Sequence, residues 1–151
     1  MAGLFKCPRR EPTRVFWFWG PTGCGKSRAA FEEYPDAYVK MPSCKWWDGY
    51  EQQEAVIIDD YRRDLCTFSE LLRLFDRYPH RVEAKGSSVH FNSKVIIVTT
   101  PKNPQDTWEG RSEEDVAQLL RRIEVVRHFP AAVGPPVVPA MFVPGFIPPA
   151  N

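Results

Sequence analysis

The sequence predicts an α/β domain, a mainly parallel sheet flanked by helices with one projecting β-hairpin. Two observations predict it. Continuous apolar runs of strand length alternate with segments of helical period, the pattern of strands buried on both faces. Between two of the helical segments, a charged stretch broken by Gly86-Ser87-Ser88 has the composition of a hairpin.

Val15 to Trp19 is a continuous apolar run and reads as the first buried strand. Lys26 to Tyr34 follows as a short helix closed by Pro35, and Ala37 to Met41 is a second short extended run. Ala55 to Asp59 (AVIID) is a buried strand. Thr67 to Glu70 forms a T-x-x-E capping box, and Leu71, Leu72 and Phe75 give an apolar stripe, so a helix is expected to run to about Tyr78 before Pro79. RVEAK and VHF flank the turn residues GSS as the two arms of the hairpin, and Lys94 to Thr100 (KVIIVTT) is a further buried strand. Ser112 caps the last helix, whose Val116, Leu119, Leu120 and Ile123 recur at i, i+3, i+4 and i+7.

At 151 residues with 43% hydrophobic content, one globular domain is expected. The boundaries fall at residues 1–13 for an N-terminal segment, 14–129 for the domain and 130–151 for a tail. That tail carries no Lys, Arg, Asp or Glu and holds seven of the 15 prolines, so an extended, disordered segment is expected, or a docking segment for a partner. Basic and acidic residues nearly balance, 20 against 19, which excludes a global basic field; a nucleic-acid site has to be a local patch. No apolar run reaches the ~20 residues of a membrane span and the start lacks a secretory h-region, so an intracellular protein without membrane partners is expected. Cys7, Cys24, Cys44 and Cys66 form no CxxC pair and are read as reduced thiols.

The strongest chemical signal is Gly20-Pro21-Thr22-Gly23-Cys24-Gly25-Lys26-Ser27, a full G-x-x-x-x-G-K-S match between an apolar strand and a helix. In such a loop, backbone N–H groups and the helix N-terminus face phosphate oxygens. Lys26 would reach the β/γ-phosphates of ATP, and the Ser27 hydroxyl would ligate Mg²⁺. The strand Val56-Ile57-Ile58 ends in Asp59-Asp60, where a second acidic site belongs. Asp59 is assigned to Mg²⁺, and Asp60 to orienting or deprotonating the attacking water. From Arg77 to Lys94 there are four Lys or Arg and two His against one Glu. Lys85 at the turn can meet a phosphate, with His90 or Phe91 stacking on a base; the competing reading is an exposed hairpin with ordinary solubilising charge. Trp46 and Trp47 are expected to pack in the core, the alternative being a surface that lines a base or an interface.

In chain order, GPTGCGKS, KWWDGY, VIIDDY, LLRLFDRYP, VEAKGSSVHF, VIIVTTP and LLRRI resemble the superfamily 3 helicase domain of circovirus-type replication-associated proteins, from circular single-stranded DNA viruses. The resemblance spans about Arg14 to Phe129. It implies an AAA+-like P-loop NTPase core that couples ATP hydrolysis to movement along single-stranded nucleic acid as a ring, usually a hexamer, in rolling-circle replication in the host nucleus. DNA is favoured over RNA on the likeness alone, since related viral domains also act on RNA. Lys26 and Ser27 match the phosphate and Mg²⁺ contacts, Asp59 and Asp60 the acidic pair, and Lys85 with Gly86 the loop that grips nucleic acid. Arg121 and Arg122 stand where the family supplies a trans-acting arginine finger, Arg122 being preferred; cations at a helix C-terminus are the alternative account.

Two departures from the family pattern stand out. Pro101 replaces the Asn that usually senses the γ-phosphate, leaving Thr100 or Asn103 as substitutes. The chain has no room before Val15 for a nicking domain, so no DNA nicking is expected. Two further classes compete with the motor. A small-molecule kinase needs an Arg-rich lid, and the segment from Pro101 to Arg111 has only Arg111. A non-hydrolysing relic that grips nucleotide or nucleic acid would fit Pro101.

Overall fold

The structure is a computed structural model that describes Arg9 and residues 11–21, 23–40, 46–62 and 67–130. The strands are β1 Arg14–Trp19, β2 Tyr38–Lys40, β3 Ala55–Ile58, β4 Arg81–Ala84, β5 Ser87–His90, β6 Val95–Thr100 and β7 Val125–His128. The helices are α1 Lys26–Glu33, α2 Phe68–Leu74, α3 Pro104–Thr107 and α4 Glu113–Arg122. Five strands make one sheet in the order β2-β3-β6-β1-β7, and all four pairings in it are parallel. β4 and β5 pair antiparallel as a separate hairpin.

Burial explains the order. All four residues of β3 and all six of β6 are buried, which suits β-branched runs with neighbours on both edges and cover on both faces. On one face, Val15, Trp17, Val56, Ile58, Ile96 and Val98 pack with residues of α2, α4 and the hairpin. On the other, Phe18, Ala55, Ile57, Val95 and Ile97 pack with Ala30 of α1. No helix among the described residues is long and apolar enough to cross a membrane.

Several local expectations are corrected. The edge strand β7, exposed at all four residues, was not foreseen, nor was the single-turn α3, capped by Asn103. α2 starts from the expected capping box but stops at Leu74 rather than near Tyr78. The turn of the hairpin is Lys85–Gly86, and Ser87 and Ser88 belong to β5. Phe91 is completely buried and stacks on Tyr50, so it cannot receive a base. Trp47 is buried as expected, whereas Trp46 is only half-buried. Thr22, Cys7, Cys44, Cys66 and the tail from residue 131 lie outside the described residues; Cys24 is a free thiol.

Arg9 accounts for the early end of α2. Its guanidinium donates to the carbonyl oxygens of Arg73, Leu74 and Tyr78 and to Thr13 Oγ1, at 2.7–3.0 Å. The Arg73 and Leu74 carbonyls belong to the last turn of α2, whose carbonyls lack partners further along the helix, and Tyr78 lies beyond it. Burial lowers the Arg9 pKa to about 10, which leaves it charged at neutral pH. Truncating Arg9 would take this donor from the buried Leu74 carbonyl and Thr13 hydroxyl, at a cost of ~1–3 kcal/mol each. Arg9→Met is therefore expected to lower the unfolding free energy by about 3 kcal/mol or more, measured by urea denaturation of the chain beside wild type.

Candidate nucleotide site

The site lies where β1, β3 and β6 end along one edge of the sheet. Parallel pairing puts their C-terminal ends side by side, with Trp19 beside Thr100 and Ile58 beside Val98. The loop from Gly20 leaves β1 there and turns into α1. Gly20 N–H donates to Thr100 O at 3.1 Å, and a Cβ on Gly20 would run into the carbonyl oxygen of Phe129, so only glycine fits that approach. Gly25 is the N-cap of α1 with φ +92°, a left-handed conformation that glycine adopts without strain, and it supplies no side chain to cap the helix. The first turn of α1 holds no acidic residue. Its N–H groups and the positive end of its dipole thus remain available to an anion. Lys26 Nζ rests 3.2 Å from Pro21 O, an exposed contact that a phosphate would outbid.

Asp59 joins the three segments. Its Oδ1 accepts from Ser27 Oγ at 2.7 Å and from Thr99 Oγ1 at 2.9 Å. Two of the expected residues, Ser27 and Asp59, are therefore in direct contact across 32 positions of sequence. A hydroxyl and a carboxylate at this separation are the hard oxygen donors that Mg²⁺ prefers. Asp60 follows in a left-handed conformation, φ +57°, which an Asp tolerates better than most residues. Its N–H donates to Thr99 Oγ1 at 2.8 Å, and its exposed carboxylate pairs with Arg62 at 3.0 Å. A pair this exposed is worth only ~0–1 kcal/mol, so it leaves Asp60 free to take another partner.

Thr99 is the residue that sequence reading missed. One hydroxyl donates to Asp59 and accepts from the backbone of Asp60, fixing both acids relative to β6. The two expected stand-ins for the sensing Asn are engaged elsewhere. Thr100 Oγ1 donates to Tyr61 O at 2.9 Å, and the Asn103 side chain caps α3 by accepting from Asp106 N–H at 2.7 Å. The segment after Pro101 is not shaped as a lid either: Trp108 is buried and packs edge-on against Phe68, with Arg111 over both rings.

The other candidates lie apart from the nucleotide loop. Lys85 and Gly86 form the exposed turn of the hairpin. His90 sits half-buried at the hairpin's base, paired with Arg81, so it does not stand beside Lys85. Arg121 and Arg122 end α4, and Glu124 just beyond them bonds to Val15 O, at the opposite edge of the sheet from Gly20. Arg122 donates to Gln118 O at 2.8 Å and pairs with Asp76 at 3.2 Å, whereas Arg121 is exposed.

A strand-loop-helix phosphate cradle, with an acid at the end of a parallel strand one place removed in the sheet, defines the P-loop NTPase fold. A family model described as RNA helicase matches residues 16–102, more than half of the chain, and the chain belongs to that family. It is 49% identical over 116 residues to the replication-associated protein of pigeon circovirus, covering 77% of this chain and 36% of that protein. It is 46% identical over 115 residues to the replication-associated protein of beak and feather disease virus, covering 76% and 38%. A replication protein of onion yellows phytoplasma is 30% identical over 113 residues, covering 70% and 30%. The chain thus spans little more than a third of the circovirus relatives' length. Among solved structures, NtrX from Brucella abortus in complex with ADP superposes with a TM-score of 0.51 at 19% identity, over 79% of this chain and 32% of that one, a likeness of fold.

The Thr99 junction makes a specific prediction. Thr99→Val keeps the shape but removes both hydrogen bonds, and is expected to reduce kcat for ATP about tenfold or more, with Thr99→Ser close to wild type. Steady-state hydrolysis beside a circular dichroism spectrum of each variant checks it.

Proposed function

We propose that the chain is an Mg²⁺-dependent ATPase that moves along single-stranded nucleic acid, the motor part of a viral replication-associated protein. The observation that carries the reading is the contact of Ser27 with Asp59 beside an uncapped helix N-terminus. That arrangement offers uncapped N–H groups to the phosphates of a nucleoside triphosphate and an oxygen pair to the metal. Bound Mg²⁺ would neutralise charge on the β- and γ-phosphates. Lys26 and the loop amides from Gly20 to Ser27 would hold the phosphates. Asp60, released from Arg62, would accept the proton of the attacking water, and Thr99 would keep the two acids in register.

The arginine finger is assigned to Arg121 in place of Arg122. A trans-acting guanidinium has to be exposed on its own subunit, and Arg122 is held by Asp76 and Gln118. Hydrolysis would then require a neighbouring copy, in a ring by the family likeness. Lys85 and Gly86 would meet the strand's phosphates at the hairpin tip. DNA is proposed as the track because the circovirus relatives are replication-associated proteins. The name of the matching family favours RNA as the second reading. Replication in a host nucleus follows from the same likeness.

Hydrolysis of Mg-ATP by the chain, with and without single-stranded DNA or RNA, tests the proposal. Turnover raised by one polymer and reduced about 10²-fold or more in Lys26→Ala is the expected outcome; nucleotide binding without turnover overturns the enzyme reading. Arg121→Ala is expected to be inactive alone. Mixed with Lys26→Ala, which keeps the finger but lacks the phosphate lysine, it should regain part of the activity at shared interfaces. No recovery on mixing would contradict a finger supplied between subunits.

A further inference from the structure

The residues between Trp46 and Gln53 hold the hairpin at both ends. Asp48 Oδ1 accepts the Lys85 N–H at 2.9 Å, within the turn itself, and Trp47 N–H donates to Glu83 O at 2.7 Å. At the hairpin's base, Gln52 Nε2 donates to His90 O at 2.9 Å, and Tyr50 Oη accepts from Asn92 N–H and shares a 2.6 Å hydrogen bond with Ser93 Oγ. The segment is fastened to the sheet in turn. Tyr38 of β2 donates its hydroxyl to Asp48 O at 2.8 Å and stacks on Trp47, which meets Tyr50 and Phe91 edge-on. Beyond Gln53 the same stretch of chain becomes β3, which Asp59 and Asp60 directly follow.

A two-residue turn is held by few interactions of its own, and an exposed lysine at its tip would sample many directions. The Lys85 amide is the group whose fixing determines where that side chain starts. A carboxylate accepting it is a charge-assisted hydrogen bond, stronger than a neutral one. Asp48 bonds to the Lys85 amide and, through its carbonyl, to Tyr38, both outside the Ser27–Asp59 pair, so its role is separable from phosphate and metal binding.

We propose that Asp48 is a positioning residue for the nucleic-acid contact: it holds the Lys85–Gly86 turn in the shape that meets the phosphate backbone. Segment 46–53 is the brace that joins this turn to the strand bearing the catalytic acids. The inference rests on the reading of the hairpin as the nucleic-acid contact and deepens it.

The test compares wild type, Asp48→Ala and Asp48→Asn in the full chain. The readouts are binding of a fluorescent single-stranded oligonucleotide, ATP hydrolysis without polymer, and hydrogen exchange of the Lys85 amide in the free protein. Asp48→Ala is expected to weaken oligonucleotide binding about tenfold, to speed Lys85 exchange and to leave hydrolysis without polymer unchanged. Asp48→Asn, which keeps an acceptor oxygen, should recover most of the binding. Unchanged binding in Asp48→Ala overturns the positioning role. So does tighter binding in both variants, since a carboxylate that merely repels phosphate would behave that way. A wild-type chain that binds no oligonucleotide overturns the nucleic-acid reading itself, and Lys85 exchange then reports on the brace alone.

Discussion

Everything in the candidate site depends on one carboxylate oxygen. Asp59 Oδ1 accepts hydrogen bonds from Ser27 at the start of α1 and from Thr99 in β6, while Asp59 itself directly follows β3. Three segments distant in sequence meet there because parallel strands deliver their C-terminal ends to one edge. A half-buried carboxylate without such donors would cost several kcal/mol. With them it is held in place and still presents its second oxygen. The phosphate loop needs the same edge, since Gly20 is pinned between Thr100 O and the Phe129 carbonyl.

The two ends of the sheet divide the work. At the end with Gly20 and Asp59 lie the groups suited to phosphate and metal. At the other lies Arg14, whose side chain pairs with Glu124 at 2.8 Å; this bond draws the Arg14 pKa up and the Glu124 pKa down. Both groups are exposed, so the pair marks where β7 enters rather than contributing much stability. Arg121 and Arg122, which end α4, lie toward this second end, just before Glu124. The hairpin is a third element, outside the sheet, and the residues from Trp46 to Gln53 connect it to β3.

Much of this was legible in the residues, and the limits have physical reasons. The runs VFWFW, AVII and VIIVTT announce strands because both faces are buried and no alternation is needed. GPTGCGKS announces its loop because each residue type answers a separate demand of the phosphate groups. VVRH did not announce a strand: an exposed edge of four residues has neither an apolar run nor alternation. Thr99 escaped notice because one hydroxyl in an apolar strand looks like any β-branched residue until Asp59 is placed beside it. Arg9 escaped because, apart from Thr13, its partners are backbone carbonyls more than 60 positions away, to which sequence pattern is blind. Phe91 was misjudged for the opposite reason, since an aromatic beside a basic hairpin reads alike whether it faces a base or Tyr50.

The most direct test of the Asp59 junction is calorimetric titration of the chain with ATP, with Mg²⁺ and with EDTA in its place, for wild type, Ser27→Ala and Asp59→Asn. If the junction is the metal and phosphate site, wild type binds more tightly with Mg²⁺, and both variants lose that difference while keeping a weaker metal-independent affinity from Lys26 and the loop amides. Equal binding with and without Mg²⁺ in wild type, or a full Mg²⁺ effect retained in both variants, would contradict it.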